Sequence, residues 1–304
     1  MDDGFVSTPL RLCARRAGWL LALLSCAYLA WLTWKSLTTQ GAAALQWPSL
    51  VPVLVALTAS VLAMMAVAVG WYVLLRGLTG RIPFWRTLGA FALSQPAKYV
   101  PGNVLHFASR HALSRGDGMG HGDLIAATVL ESASLVTIGL LFGAQSIRTW
   151  LADEGWASSA RLMALAAVLL WTAALAWVLL RHRARWRSVL WATVVHLMCA
   201  AGYFVCSALA LGILGGEELQ LLSATEVVAA IALSWVAGYL AIGAPGGIGI
   251  REALLLAFLG ASATNSALLG AILTQRACMI GADLLLFASA ALSNRNSRMS
   301  GNPQ

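Results

Sequence analysis

The sequence predicts an all-α polytopic membrane protein: about six full transmembrane helices plus two re-entrant helical hairpins, arranged as an inverted repeat. Three observations carry that expectation. Of 304 residues, 60% are hydrophobic and only 11% are charged, whereas an ordinary soluble domain has about 25% charged residues. The apolar residues fall in long unbroken runs, not in the short alternating segments of a β-barrel. Two further apolar segments are cut short by Pro and Gly. The composition excludes a soluble enzyme or binding module, whose core could not absorb so much apolar surface. It also excludes a disordered chain, which would be poor in what this one has in excess.

The first run, Ala17 to Trp34, follows Arg11, Arg15 and Arg16. No small-residue cleavage site follows it, and Trp31, Trp34 and Lys35 read as an interfacial anchor, so a retained first span is expected and not a signal peptide. Leu50–Leu75, Gly122–Ile147, Leu162–Leu180, Ser188–Gly212 and Ser266–Leu292 are each long enough to cross about 30 Å of hydrocarbon. The connecting stretches sort by charge. Arg76, Arg81, Arg86, Arg110 and Arg115 fall on the side of the N-terminus, as do Arg181, Arg183, Arg185, Arg187, Arg295 and Arg298. The other side receives Lys35, then Asp153 and Glu154 flanked by Arg148 and Arg161, then Glu217 and Glu218. The positive-inside rule therefore puts both termini in the cytoplasm. One integral domain, 1–304, is expected, with repeat one at about 15–147, repeat two at about 160–292 and a disordered cytoplasmic tail at 293–304.

Two segments are broken. Thr87–Val100 is too short to cross and ends at Pro101-Gly102-Asn103; Glu226–Gly243 stops at Ala244-Pro245-Gly246-Gly247-Ile248-Gly249. Pro and clustered Gly end helices, and backbone freed inside a membrane survives only where protein or water satisfies it. Both are expected as re-entrant hairpins, the first from the cytoplasm and the second from the far side. A reading with full-span arms and eight crossings stays open. The two segments also resemble each other. Ala92 to Tyr99 lies over Ala232 to Tyr239 at a constant offset of 140, with Ala, Leu, Ser, Ala and Tyr coinciding. Each is followed by Pro-Gly, by an arginine (Arg110 or Arg251), and by a long span carrying a charge near its middle, Glu131 or Arg276. Two spans, a hairpin and a span are thus given twice, and an odd number of crossings inverts the second copy, an arrangement found in transporters.

Glu131 and Arg276 would each lie about 14–15 Å deep at 1.5 Å rise per residue, near the midplane. A charge there costs about 2.5–3.5 kcal/mol, so both must face protein or water. They are expected to pair with one another or to bind a charged headgroup. Asp283 shares a helix face with Arg276 and is an alternative partner for it, or simply a helix-end residue. Arg251 and Glu252 follow the glycines directly, where exposed amides beside a guanidinium suit a phosphate. Lys98 and Tyr99 could act likewise from the first break, although snorkelling to the surface remains equally open for Lys98.

Other signals are weak. The balance of 20 Lys+Arg against 12 Asp+Glu gives a net charge of +8, but no basic stripe carries interleaved aromatics, and no nucleic-acid partner is expected. Cys13, Cys26, Cys199, Cys206 and Cys278 form neither a disulfide framework nor a zinc motif. His106, His111 and His121 lack supporting metal-ligand spacing, and His196 reads as a packed neutral histidine. No P-loop or dinucleotide fingerprint occurs, and no cofactor or metal is expected.

Ser94 to Arg110 with its Lys-Tyr-Val-Pro-Gly core, Glu131 in the following helix, and Ala-Pro-Gly-Gly-Ile-Gly-Ile-Arg-Glu-Ala at Ala244 to Ala253 resemble the lysylphosphatidylglycerol synthase transmembrane family. This is the flippase half of the multiple peptide resistance factor, with free-standing and glycosyltransferase-linked relatives. The resemblance covers roughly residues 15–292, and the Pro-Gly-Gly-x-Gly-x-Arg-Glu stretch is its most specific part. It implies a helical bundle with two re-entrant hairpins in a bacterial cytoplasmic (inner) membrane, and translocation of a lipid headgroup. The positions it implies for the site are Lys98, Tyr99, Pro101, Gly102, Arg110, Glu131, Pro245, Gly246, Gly247, Gly249, Arg251, Glu252 and Arg276. Asn103 stands where a second glycine is common. No soluble aminoacyltransferase domain is present, so the chain is not expected to make aminoacylated lipid by itself.

The expected function is a flippase or scramblase for an anionic phospholipid, an aminoacylated one, or a polyprenyl-phosphate-linked sugar, working by alternating access and without enzymatic chemistry. Arg251 and Arg276 would hold the phosphate. Glu131 would bind a cationic headgroup or compete for Arg276. The partners are the lipid itself and, secondarily, a glycosyltransferase or lipid-modifying enzyme. Two rivals stay open: a membrane-embedded lipid-modifying enzyme using Glu131 or Glu252 as base, and a non-transporting partner subunit of a membrane glycosyltransferase.

Overall fold

The computed structural model describes residues 47–100, 104–116, 118–150, 154–220, 222–241, 244–259 and 266–299. Nearly all of them are helical, and no strand occurs among them. The helices are α1 (Leu50–Thr79), α2 (Phe84–Ser94), α3 (Leu105–Gly116), α4 (His121–Trp150), α5 (Glu154–Arg181), α6 (Trp186–Gly215), α7 (Ala224–Leu240), α8 (Ile250–Phe258) and α9 (Ser266–Met299). A 3-10 turn, Gln95–Tyr99, follows α2, and another, Pro245–Gly247, precedes α8.

Five helical stretches are long and apolar enough to cross a membrane: Leu50–Thr79, His121–Ala144, Leu162–Arg181, Arg183–Leu219 and Ala267–Asn294. They coincide with the five expected spans after the first; Ala17 to Trp34 and the break at Pro101-Gly102-Asn103 lie outside the described residues. Pro52 sits in the first turn of α1, where its missing amide costs nothing. The last helix runs through Met299, so the backbone from 293 to 299, expected as tail, is helical.

The remaining four helices are short. With 11, 12, 17 and 9 residues, α2, α3, α7 and α8 measure roughly 16, 18, 26 and 14 Å at 1.5 Å per residue. None alone reaches the roughly 30 Å of a hydrocarbon core. α7 opens on a capping box: Glu226 N–H donates to Ser223 Oγ at 3.3 Å, and Ser223 N–H donates to Glu226 Oε2 at 2.7 Å.

Packing follows a regular scheme. α1 lies along α6; α4 packs on α7, α1 and α6, and α9 packs on α2, α6 and α1. α5 leans on α4, where Trp171 Nε1 donates to Ser134 Oγ at 3.0 Å and Thr137 Oγ1 donates to the Ala167 carbonyl at 3.2 Å. Small residues permit close approach, as is usual where helices meet in lipid. A Cβ on Gly77 would fall 2.6 Å from that of Ala192, and one on Gly139 would fall 2.6 Å from Val236. The outward faces are apolar: Leu165, Leu169 and Leu170 of α5, Trp191 and Met198 of α6, and Leu284 and Leu285 of α9 are all exposed. In water such a surface would drive aggregation, and in lipid it is simply solvated.

Candidate functional site

The two helix breaks build the site. At the end of α2, Ser94 Oγ donates to the Phe91 carbonyl at 2.7 Å, and Pro96 denies the next turn an amide, so the chain tightens into the 3-10 turn. In α7, Ser234 Oγ makes the same bond to the Ile231 carbonyl at 2.9 Å. Farther on, Gly246 and Gly247 adopt φ of 57° and 71°, a region that side chains disfavour. The breaks touch one another. A Cβ on Gly246 would lie 2.9 Å from Tyr99 Cδ1 and 3.4 Å from Arg276 Nη2, so the glycine also makes room for the Tyr99 ring.

Charged side chains tie the breaks to the long helices. Arg110 of α3 and Glu131 of α4 form a two-pronged ion pair, with Nη1 donating to Oε1 at 3.0 Å and Nη2 to Oε2. Both are almost fully buried. The Arg110 guanidinium lies 3.8 Å from the centre of the Trp71 ring and 5.2 Å from that of Phe91, a favourable stacking for a desolvated guanidinium. On the opposite side α9 clasps both breaks. Asp283 Oδ2 accepts from Tyr99 Oη at 2.5 Å and faces Lys98 Nζ at 2.7 Å. Arg276 Nη2 donates to the Gly246 carbonyl at 2.6 Å, and its Nε lies 3.0 Å from Glu252 Oε1. Glu252 also caps α8, its Oε2 accepting from Gly249 N–H at 2.7 Å.

These groups surround a cavity of about 90 Å³. Lys98, Tyr99, Arg110, Glu131, Gly246, Arg251, Arg276 and Asp283 all line it, and Glu252 lines a smaller adjoining cavity of about 30 Å³ with Arg251 and Arg276. Gly247 and Gly249 shape the break without lining either space. Three of the four cations face a carboxylate. The fourth, Arg251, forms no salt bridge among the described residues. Its guanidinium lies over the Trp235 ring at 5.3 Å, and its Nε is buried without a hydrogen-bond partner. The side chain is held against Gly238 and Gly247, where any Cβ would collide with it.

Two sequence expectations are corrected. Glu131 and Arg276 line the same cavity but do not pair, because the first break delivers Arg110 to Glu131 and α8 delivers Glu252 to Arg276. Asp283 is not the partner of Arg276 either; it holds Lys98 and Tyr99. Sequence reasoning also missed the aromatic wall formed by Tyr203, Trp235 and Tyr239, the last two stacked at 4.9 Å and 9°. A signal for it existed, since Gln95 and Trp235, like Tyr99 and Tyr239, stand at the 140-residue offset, and all four line the cavity. Among the described residues, no group of three or more His, Cys, Asp or Glu is placed to hold a metal ion. Cys199, Cys206 and Cys278 are free thiols.

The chain matches no protein-family model, and a comparison with curated proteins gives no match. Fold and composition define a multi-pass membrane protein, helical throughout nearly all of the described residues, with a cavity where its two helix breaks meet, lined by both charged and aromatic side chains.

Proposed function

We propose that this protein is a lipid flippase or scramblase that binds an anionic headgroup at Arg251 and moves it across a bacterial cytoplasmic membrane by alternating access. The observation that carries the reading is the guanidinium of Arg251, which forms no salt bridge among the described residues and stands at a cavity where two broken helices meet. A cation that lacks a directly paired carboxylate is expensive in a membrane interior and marks a substrate path. Cations Lys98, Arg110, Arg251 and Arg276 face anions Glu131, Asp283 and Glu252, which leaves one positive charge over and suits one singly charged phosphodiester. The substrate class is an anionic phospholipid, an aminoacylated one, or a polyprenyl-phosphate-linked sugar.

An inverted repeat of two re-entrant hairpins supports alternating access. Exchanging α1 with α6, α2 with α7, α3 with α8 and α4 with α9 maps each main contact among these eight helices onto a contact of the same set, α1–α6 onto itself, while α4–α5 has no counterpart among the described residues. Ser94 and Ser234 make equivalent backbone bonds. Tyr99 and Tyr239 each reach across to the long helix of the other half, to Asp283 and to Ser132 at 2.9 Å. In this arrangement α2/α3 enters from the cytoplasm, α7/α8 from the far side, and both termini are cytoplasmic. The same arrangement and cargo are implied by the resemblance to the lysylphosphatidylglycerol synthase transmembrane family. Glu131 and Glu252, the two candidate bases for a lipid-modifying reaction, are both held by arginines, which favours binding over chemistry.

Arg251→Gln in proteoliposomes tests the reading. Losing a charge-assisted contact of about 1.5–3 kcal/mol lowers headgroup translocation by about tenfold or more, with unfolding unchanged. A folded variant that translocates at the normal rate overturns the assignment.

A further inference from the structure

Away from the central cavity, α3 and α4 diverge from the turn at 118–120 and leave a groove of about 630 Å³ between them. Its outer end is basic. His111 and Arg115 of α3 meet His121 of α4 there, with His111 Nε2 2.8 Å from His121 Nδ1 and the two rings stacked at 5.0 Å. Arg115 Nη1 donates to the Met119 carbonyl at 2.7 Å, which holds the guanidinium at the mouth. Among the described residues no carboxylate pairs with Arg115; the nearby Asp123 faces His182 at 3.6 Å. The floor is apolar, formed by Ala108, Ala112, Ile125 and Val129.

Phe107, His111 and Arg115 follow one another at four-residue intervals, so they form one stripe about 12 Å long on the face of α3. Phe107 closes the inner end. It stands edge-on to Tyr239 at 6.5 Å, and both rings also line the central cavity. Phe107 is thus the residue that lines both the groove and the cavity, and Tyr239 backs its ring on the cavity side.

We propose that the α3–α4 groove is the lateral portal by which an anionic phospholipid of the cytoplasmic leaflet reaches the central cavity. One acyl chain lies along the floor, the phosphate sits at Arg115 and the two histidines, and Phe107 is the gate. Charge complementarity selects the occupant, since a basic mouth above an apolar trough matches an anionic headgroup above its chain. Burial, with His121 and Arg115 alongside, holds the His111 imidazole below its usual range. At neutral pH His111 is therefore uncharged, and Arg115 is the fixed charge of the mouth. The gate rests on the lipid-transport reading, whereas the binding site does not.

The test uses the full-length protein in nanodiscs containing phosphatidylglycerol or phosphatidylcholine with a photoactivatable group in one acyl chain. Cross-linked peptides are mapped by mass spectrometry. The portal predicts labelling within 104–131 that is several-fold stronger for phosphatidylglycerol. Ile125→Trp, at a half-exposed position (50%) where a larger ring fills the groove without disturbing the core, removes most of it. Arg115→Gln abolishes the preference for the anionic lipid. Equal labelling by both lipids, or labelling indifferent to Ile125→Trp, overturns the proposal. Phe107→Trp should keep the labelling and slow translocation; unchanged translocation overturns the gate. Anion-selective labelling alongside normal transport by Arg251→Gln would keep the groove site and sink the central one.

Discussion

The Arg110–Glu131 pair offers the sharpest energetic prediction. Glu131→Gln leaves a guanidinium buried beneath Trp71 and Phe91 with no counter-charge, and breaking a buried pair by removing one partner costs about 3–5 kcal/mol. Arg110→Met strands the carboxylate and costs a similar amount, offset in part because a thioether still packs on the rings. Removing both charges leaves a thioether beside a neutral amide and no unpaired buried charge, so the double variant loses less than the two singles together. The double-variant cycle should therefore show a coupling of about 3 kcal/mol. Equilibrium unfolding in mixed micelles of dodecyl maltoside and sodium dodecyl sulfate, with circular dichroism as readout, gives all four stabilities. A Glu131→Gln loss below about 1 kcal/mol, typical of a solvated surface pair, would refute the claim that this pair is sealed from water.

Three further predictions follow from the same geometry. Gly246→Ala forces an L-residue into φ of 57° and a methyl group against the Tyr99 ring; it should cost about 1–3 kcal/mol, partly recovered by Tyr99→Ala, in the same unfolding assay. Asp283→Asn removes the charge facing Lys98 and should speed amide exchange across Gln95–Tyr99, read by mass spectrometry, whereas unchanged exchange would show that α9 does not hold the first break. Because His111 takes up its proton only below the ordinary imidazole range, photolabelling of the groove should be flat above neutrality and rise on acidification. His111→Ala should diminish that rise, with His121, Arg115 and the Asp123–His182 pair as the other titratable or charged groups of that end.

The spans were legible because an apolar run long enough to cross a membrane declares itself by composition alone, and the five that can be compared agree within a few residues at most ends. The breaks were legible from Pro and Gly. The charges were legible as members of one site but not as partners. Arg110 reaches Glu131 only because the chain turns back between α3 and α4, and Tyr99 reaches Asp283 across 184 positions. Hydropathy carries no such information. Arg251 was half legible: its place after the glycines suggested an anion, but that it forms no salt bridge among the described residues depends on where the other charges end up. The aromatic wall was missed because the 140-residue offset pairs Tyr239 with Tyr99 and Trp235 with Gln95 without showing that they line a cavity, and Tyr203 lies outside that offset.

Native mass spectrometry of the protein released from its own membrane tests the central claim most directly. One tightly held phosphodiester lipid per chain should survive release from wild type and be lost from folded Arg251→Gln. A chain that carries no lipid, or one that keeps the same lipid without the Arg251 guanidinium, would contradict an anion-binding cavity between the two broken helices.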